Sequence, residues 1–125
     1  MKSELSTGKA PSPFGAYSQG IVANGFVFTS GFGPTNPETG DRPEGVRDQT
    51  RQALQNVEAV LREYGLDLTD VVKATVHLQN LKRDFGEFNR AYGEMMPSPR
   101  PVRTTVGSDL YDILVEIDVV AALRG

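Results

Sequence analysis

The amino-acid sequence predicts an α+β fold in which two helices pack on one face of a β-sheet. Three observations support this prediction: an Asn-Gly turn between two β-rich runs, two stretches with apolar residues at helical spacing, and runs of alternating polarity between and after them. The predicted order is strand, strand, helix, strand, helix, strand, strand. With both helices on one face, the other face of the sheet is left to be covered.

The first two strands are predicted at residues 21–23 and 26–30. Asn24 and Gly25 lie between them, and both residue types tolerate the positive φ of a tight hairpin turn. Residues 31–40 follow, dense in Gly and Pro and without periodicity, which predicts a loop. Because glycine lacks a Cβ atom, such a loop allows a ligand to approach the backbone closely.

Two amphipathic helices are predicted at residues 46–64 and 84–96. The first ends at Gly65 and the second before Pro97. The apolar stripe of the first consists of Val46, Ala53, Leu54, Val57, Val60, Leu61 and Tyr64. The apolar side of the second consists of Phe85, Phe88, Ala91, Tyr92 and Met95, an aromatic stripe that favours core packing over cofactor binding.

Between the helices, residues 71–78 alternate in polarity and predict a half-buried strand. Its core face consists of Val72, Ala74, Val76 and Leu78. His77 falls on the polar face, where we interpret it as a solvated or hydrogen-bonded surface histidine.

An apolar sheet face too large for a soluble monomer to expose predicts oligomerisation, with a pocket at the subunit boundary.

Arg103 and Glu116 interrupt the last two predicted strands, residues 101–106 and 113–122. Both lie in apolar runs, and burying an unpaired charge costs several kcal/mol. Strand periodicity puts Ile113, Val115, Ile117 and Val119 on a core face and Leu114, Glu116, Asp118 and Val120 on a mixed face. One interpretation places Arg103 and Glu116 in a pocket or subunit interface. The other treats Glu116 and Asp118 as solvated edge-strand charges with Arg103 as their surface ion-pair partner, and the residues alone do not decide between the two.

Length and composition predict a single domain spanning residues 1–125. The 13 basic and 16 acidic residues give a net charge of -3, and the scattered basic residues argue against nucleic-acid binding. With no cysteine and one histidine, the sequence predicts neither a disulfide nor a metal site. The start lacks the apolar run of a signal peptide, and no later run approaches the ~20 residues of a membrane span. We therefore expect a cytoplasmic protein without membrane association.

Four blocks in order resemble one family, the reactive intermediate/imine deaminase A family, also called the YjgF family. The blocks are Ala10-Pro11 with Gly15-Ala16-Tyr17-Ser18-Gln19; Thr29-Ser30-Gly31 with Pro34 and residues 36–40; residues 49–57; and Pro101-Val102-Arg103 with Leu114-Val115-Glu116-Ile117. Together they span nearly the whole chain, and the last is the most specific.

The resemblance implies a chorismate-mutase-like α+β fold with a mixed β-sheet. It also implies a homotrimer with its helices outside, its sheets facing inward and pockets at the subunit interfaces. The implied activity is a cofactor-free hydrolysis. Enamines such as 2-aminoacrylate and 2-aminocrotonate tautomerise to 2-imino acids, which take up water and release ammonia and a 2-oxo acid.

The same resemblance implies roles for particular residues. Arg103 would bind the substrate carboxylate through its planar fork, Glu116 would hold and polarise the attacking water, and Tyr17 would orient the imine or the water. The implied substrate-binding residues are Ser30, Gly31, Phe32, Asn89 and Thr105.

The sequence departs from the family pattern around the expected pocket. Thr105 stands where the best-characterised members of the family carry cysteine, Phe32-Gly33 replaces the usual Gln and aliphatic residue, and residues 107–112 are about two residues shorter than usual. The alternative function is therefore a non-catalytic protein of the same fold that binds or senses small carboxylates such as 2-oxo acids. An RNA-cleaving activity is disfavoured by the acidic balance of the chain.

Overall fold

The computed structural model describes residues 1–125 as one six-stranded sheet with two helices. The elements are β1 (Ser3–Leu5), β2 (Gly20–Ala23), β3 (Phe26–Thr29), α1 (Val46–Arg62), a 3₁₀ turn (Leu68–Asp70), β4 (Val71–Leu78), α2 (Leu81–Met95), β5 (Val102–Gly107) and β6 (Val115–Ala122). The strand order is β1-β2-β3-β6-β4-β5. Only β4 and β5 run parallel, so the sheet is mixed and the predicted α+β class is confirmed.

The hairpin turn forms where the sequence predicts it. Asn24 and Gly25 have φ values of 51° and 84°, the left-handed conformation that a two-residue hairpin loop requires. The turn aligns Phe28 opposite Ile21 and Phe26 opposite Ala23. One face of this hairpin therefore carries two aromatic rings.

The hydrophobic core lies between the helices and the sheet. On β6 the buried residues are Val115, Ile117, Val119 and Ala121, so the predicted core face of this strand is confirmed. On α1 the predicted stripe is buried from Val46 to Leu61. Tyr64 was expected on this stripe but is 49% exposed, because the helix ends at Arg62 and Gly65, at φ 72°, turns the chain away.

The predicted inward face of β4 is wrong at its first residue. Val71 is buried and Val72 is exposed, because the pairing with β6 shifts register between Val71 and Lys73. Such a bulge adds one residue to one strand and reverses the facing of the residues before it. From Ala74 onward the predicted alternation is confirmed.

Several element bounds differ from the predicted ones. The sequence prediction omitted β1, whose three residues are too few to show a period, and the 3₁₀ turn. Helix α2 begins at Leu81 rather than at residue 84. Strand β6 begins at Val115, because the Leu114 N–H donates to the Gln49 side chain rather than to a neighbouring strand. Phe85 was expected on the packed side of α2 but remains 41% exposed.

The sheet face without helices carries large apolar side chains. Phe26 and Phe28 of β3 and Val102 and Val106 of β5 are all exposed on this open face. Polar side chains of β4 and β6 lie between these two apolar edges. Neither helix is both long and apolar enough to cross a membrane.

Candidate active site

The sheet separates the two charged residues that the sequence singled out. Glu116 pairs with His77 across β6 and β4, and both belong to the open face. Arg103 pairs with the buried Ala74 across β5 and β4, which places it on the face covered by the helices. Arg103 forms no ion pair with Glu116 or Asp118. The interpretation of Arg103 as the surface ion-pair partner of Glu116 and Asp118 is therefore wrong for the single chain.

Glu116 belongs to a cavity of about 550 Å³ at one end of the sheet. Three segments meet there: the N-terminal segment (residues 6–19), the first loop (residues 30–45) and the second loop (residues 108–114). Four of the predicted site residues line this cavity, namely Tyr17, Gly31, Phe32 and Glu116. The other lining residues are Pro11, Ser12, Phe14, Gly33, Thr35, Arg42, Tyr111 and Ile113.

Gly31 allows the Glu116 side chain to lie directly against the backbone of the first loop. A Cβ atom at Gly31 would stand 2.6 Å from Glu116 Oε1 and 2.8 Å from Cδ. Neither distance is tolerated by real side chains, so only glycine fits while Glu116 keeps this conformation. The carboxylate thus packs directly against the backbone of the cavity wall.

Phe32 ties the first loop to β6 beside Glu116. Its N–H donates to the Ile117 carbonyl at 2.8 Å, and the Ile117 N–H donates back at 3.0 Å. The ring lines the cavity but is itself only 5% exposed. The Phe32 ring therefore forms part of the cavity floor, and little of its surface is open to a ligand.

Tyr17 and Ser30 are held by local hydrogen bonds. The Tyr17 hydroxyl accepts from the Phe14 N–H at 3.1 Å, and the ring is about half exposed. The Ser30 N–H and hydroxyl both donate to the Gln19 carbonyl, at 2.9 and 3.4 Å. Ser30 is not among the residues that line the cavity, so in the single chain it supports the wall behind Gly31.

Arg103 lies against aromatic rings of α2. Its guanidinium carbon is 4.7 Å from the centroid of Tyr92, 5.2 Å from that of Phe88 and 5.9 Å from that of Phe85. Each such contact contributes roughly 0.5–2 kcal/mol, depending on solvation. Because no carboxylate pairs with Arg103, its charge and its N–H donors are held in place yet remain available to an anion.

Two buried hydroxyl groups accompany Arg103 on this side of the sheet. Thr105 Oγ1 and the Tyr92 hydroxyl are both buried without a hydrogen-bond partner. Burial raises the pKa of Tyr92, against the opposing charges of Arg103 and Arg100, so its hydroxyl stays protonated at neutral pH. Asn89 is exposed on α2, one residue after Phe88. Arg103 and Thr105 thus form a second group on the helix-covered face, and neither they nor Asn89 line the cavity.

Two buried amides of α1 hold the loops around the cavity, and the sequence prediction included both only within a resembling block, without giving them a role. Asn56 Nδ2 donates to the carbonyls of Gly33 and Thr35 at 3.0 and 2.9 Å. Gln49 Nε2 donates to the Pro43 carbonyl at 2.9 Å, and its Oε1 accepts from the Leu114 N–H at 2.8 Å. The available signal was a polar residue within an apolar helical stripe, since buried amides need partners.

Gln19 holds the N-terminal segment in the same way. It is 3% exposed, its Oε1 accepts from the Thr7 N–H at 2.7 Å, and its Nε2 donates to the carbonyls of Thr7 and Pro11 at 3.1 and 2.8 Å. These bonds fold the N-terminal segment, which carries Tyr17, back on itself. The prediction included Gln19 only as part of a resembling motif and gave it no role.

His77 and Asp118 are the charged or titratable residues of β4 and β6 that lie beside Glu116 on the open face. His77 Nδ1 lies 2.6 Å from Ser108 Oγ, which confirms its interpretation as a hydrogen-bonded histidine. Burial raises the pKa of Asp118, with the charges of His77 and Lys73 opposing the rise. No three potential metal-binding side chains of the His, Cys, Asp and Glu types come together.

Comparisons with known proteins match nearly the entire chain. The family described as endoribonuclease L-PSP matches residues 7–123. A RutC family protein of Pyrococcus horikoshii is 40% identical over 97% of this chain and 98% of its own length. Reactive Intermediate Deaminase A, chloroplastic, of Arabidopsis thaliana is 42% identical over 98% of this chain and 66% of its own length. The crystal structure of Escherichia coli TdcF with bound serine superposes with a TM-score of 0.92 at 34% identity, covering 98% of this chain and 99% of that one.

Proposed function

Since the chain belongs to the endoribonuclease L-PSP family, which includes relatives named reactive intermediate deaminases, we propose that it is an enamine/imine deaminase. Its substrates are 2-imino acids formed from enamines such as 2-aminoacrylate or 2-aminocrotonate. The observation that carries the proposal is a carboxylate, Glu116, packed against Gly31 in a cavity, together with an unpaired cation, Arg103. A water-activating base and a carboxylate-binding fork are the two groups that hydrolysis of a 2-imino acid needs.

The reaction is a hydrolysis without a redox step. Glu116 accepts a proton from water as the water oxygen bonds to the imine carbon. That proton passes to the nitrogen, giving a carbinolamine. Glu116 then takes the proton of the new hydroxyl group and delivers it to the same nitrogen, so the carbon–nitrogen bond breaks, the carbonyl of the 2-oxo acid forms, and ammonia leaves. Tyr17, at the rim of the same cavity, orients the imine or the water through its hydroxyl. The reaction needs no cofactor.

The two groups of residues combine between subunits of a homotrimer. Arg103 and Glu116 lie on opposite faces of one sheet, so a single chain cannot present both to one small molecule. The exposed apolar residues of the open face, including Phe28 and Val102, favour burial against another copy. In this arrangement the cavity of one subunit faces Arg103 of the partner subunit. Thr105 and Asn89 then join Arg103 in binding the substrate, while Ser30, Gly31 and Phe32 shape the opposite wall.

Subunit complementation tests both the activity and the shared site. Arg103→Ala and Glu116→Ala variants are each expected to lose imine hydrolysis, measured as ammonia release from imines generated by an amino-acid oxidase. If the two variants are unfolded together in equal amounts and refolded, random mixing restores about a quarter of the sites. The control is each variant refolded alone.

The outcomes of this experiment separate the possibilities. No recovery from refolded mixed trimers would show that Arg103 and Glu116 act within one chain. A wild-type trimer that leaves imine hydrolysis at the buffer rate but binds a 2-oxo acid would select the non-catalytic alternative.

An RNA-cleaving function receives less support from the surface. The arginines at positions 47, 51, 62, 83 and 124 pair with carboxylates rather than forming a basic patch. Phosphate binding usually requires unpaired cations arranged along a groove. Ribonuclease activity that survives purification and is lost in Arg103→Ala would overturn this judgement.

A further inference from the structure

Arg42 is a second unpaired cation, and it lines the same cavity as Glu116. It forms no ion pair with Glu116 or with any other carboxylate of the chain. The roles proposed above do not use it. A guanidinium directed to a cavity and lacking a counter-charge is a binding group for an anion.

Arg42 is held in place by uncharged acceptors. Its Nε donates to Thr35 Oγ1 at 3.1 Å, and its Nη1 donates to the Asp112 carbonyl at 3.2 Å. These bonds anchor the side chain to both cavity loops without neutralising it. Since a guanidinium has five N–H donors, about three remain for a ligand.

The size and charge of the cavity are consistent with a substrate longer than a three-carbon imine. A volume of about 550 Å³ exceeds what such a molecule fills. Glu116 would repel any second carboxylate that entered the cavity. Arg42 offsets that repulsion in its own vicinity. A second carboxylate is therefore accepted only where it can contact Arg42.

We infer that Arg42 determines specificity by binding a second anionic group, so that 2-imino dicarboxylic acids are preferred substrates. The inference rests on the proposed deaminase function. Arg103 of the partner subunit binds the carboxylate next to the imine, Glu116 activates water, and Arg42 binds the side-chain carboxylate. The hydrolysis itself is unchanged: water adds to the imine carbon and ammonia leaves.

A purely structural role for Arg42 predicts a different result. If Arg42 only ties the two loops together, its removal disturbs the cavity for every substrate alike. If it binds the second carboxylate, its removal changes the ratio of kcat/KM values for a dicarboxylic and a monocarboxylic imine. The ratio therefore separates the two roles.

The experiment compares imines of aspartate and alanine, each generated in situ by an amino-acid oxidase. Wild-type protein is expected to favour the aspartate imine, and Arg42→Ala to reduce that preference by about tenfold or more, as expected for a hydrogen bond to a charged group. Arg62→Ala is the matched control, because it removes one exposed positive charge that does not line the cavity. The control should leave the ratio unchanged. Equal losses on both imines in Arg42→Ala, or no preference in wild type, would overturn the inference.

A binding measurement distinguishes failure of the proposed function from failure of this inference. Oxaloacetate and pyruvate are titrated calorimetrically against wild-type protein and Arg42→Ala. If neither imine is hydrolysed, deaminase function fails and with it the substrate preference. In that case, if oxaloacetate but not pyruvate binds more weakly to Arg42→Ala than to wild type, Arg42 is still a dicarboxylate-binding residue. If the variant binds both compounds as wild type does, that role is refuted as well.

Discussion

Replacing Gly31 with alanine tests whether the close approach of Glu116 matters for activity. The new Cβ would lie 2.6 Å from Oε1, 2.8 Å from Cδ and 3.0 Å from Cγ of Glu116. Non-bonded carbon atoms pack at about 3.5–4.0 Å, so the carboxyl group must retreat by roughly 1 Å. Gly31 does not adopt a positive φ, so the substitution adds this contact without backbone strain.

A displacement of about 1 Å in a catalytic group costs on the order of 100-fold in rate, or ~2.7 kcal/mol of transition-state stabilisation. We expect kcat/KM for imine hydrolysis to fall by about that factor in Gly31→Ala. The melting temperature should change little, because the flexible end of Glu116 can move aside.

Gly33→Ala is the comparison variant, since its Cβ would lie 2.8 Å from Cδ1 of Ile113, a methyl group without a chemical role. It should cost less activity than Gly31→Ala. The reasoning is refuted if Gly31→Ala keeps activity within about threefold of wild type while Glu116→Ala is inactive.

Three further predictions concern stability. Asn56→Ala leaves the carbonyls of Gly33 and Thr35 without donors, so it should lower the free energy of unfolding, measured in urea, by about 1–3 kcal/mol. Gln52→Ala is the control: it removes only a donor to Asn56 and should lower the free energy of unfolding by less. Gly86→Ala, in the exposed middle of α2 with no atom within 4 Å of the new Cβ, should raise stability by about 0.5–1 kcal/mol, and an unchanged or lower melting temperature would contradict this. Arg124 donates a hydrogen bond to the Asp70 carboxylate and lowers the pKa of Asp70 from its ordinary value of 3.8. The pair therefore stabilises the fold at pH values above 3.8, and this stabilisation is lost as the pH falls through the lowered pKa. Arg124→Ala should accordingly be less stable than wild type at pH 7, with the difference vanishing in acid; a difference independent of pH would argue against this ion pair.

Local patterns predicted the parts of the fold that depend on one element at a time. The hairpin at Asn24-Gly25 and the core face of β6 follow from turn chemistry and a period of two, and both are present. The facing of Val72 depends on a bulge in the pairing of β4 with β6, which a single strand does not encode. Short β1 has too few residues to carry a pattern.

The candidate site depends more strongly on pairing between distant strands. Periodicity places Arg103 and Thr105 on one face of β5, but it does not say which face. The parallel pairing with β4, which sets Arg103 beside the buried Ala74, decides this. The same limit applies to Arg42, whose hydrogen bond to Asp112 spans 70 residues of sequence. The resemblance identified Glu116, Gly31 and Tyr17 as site residues along with Arg103, Thr105 and Asn89, without showing which of them lie together in one chain.

The amide of Gln19 bonds to main-chain atoms of the N-terminal segment, and those of Gln49 and Asn56 bond to main-chain atoms of the two cavity loops, in no case to side chains of these segments. Main-chain atoms are the same whichever amino acids the loops contain. Substitutions in the loops can therefore change the chemistry of the cavity while its shape is preserved. Relatives that share this framework are free to diverge in what they recognise without evolving a new fold.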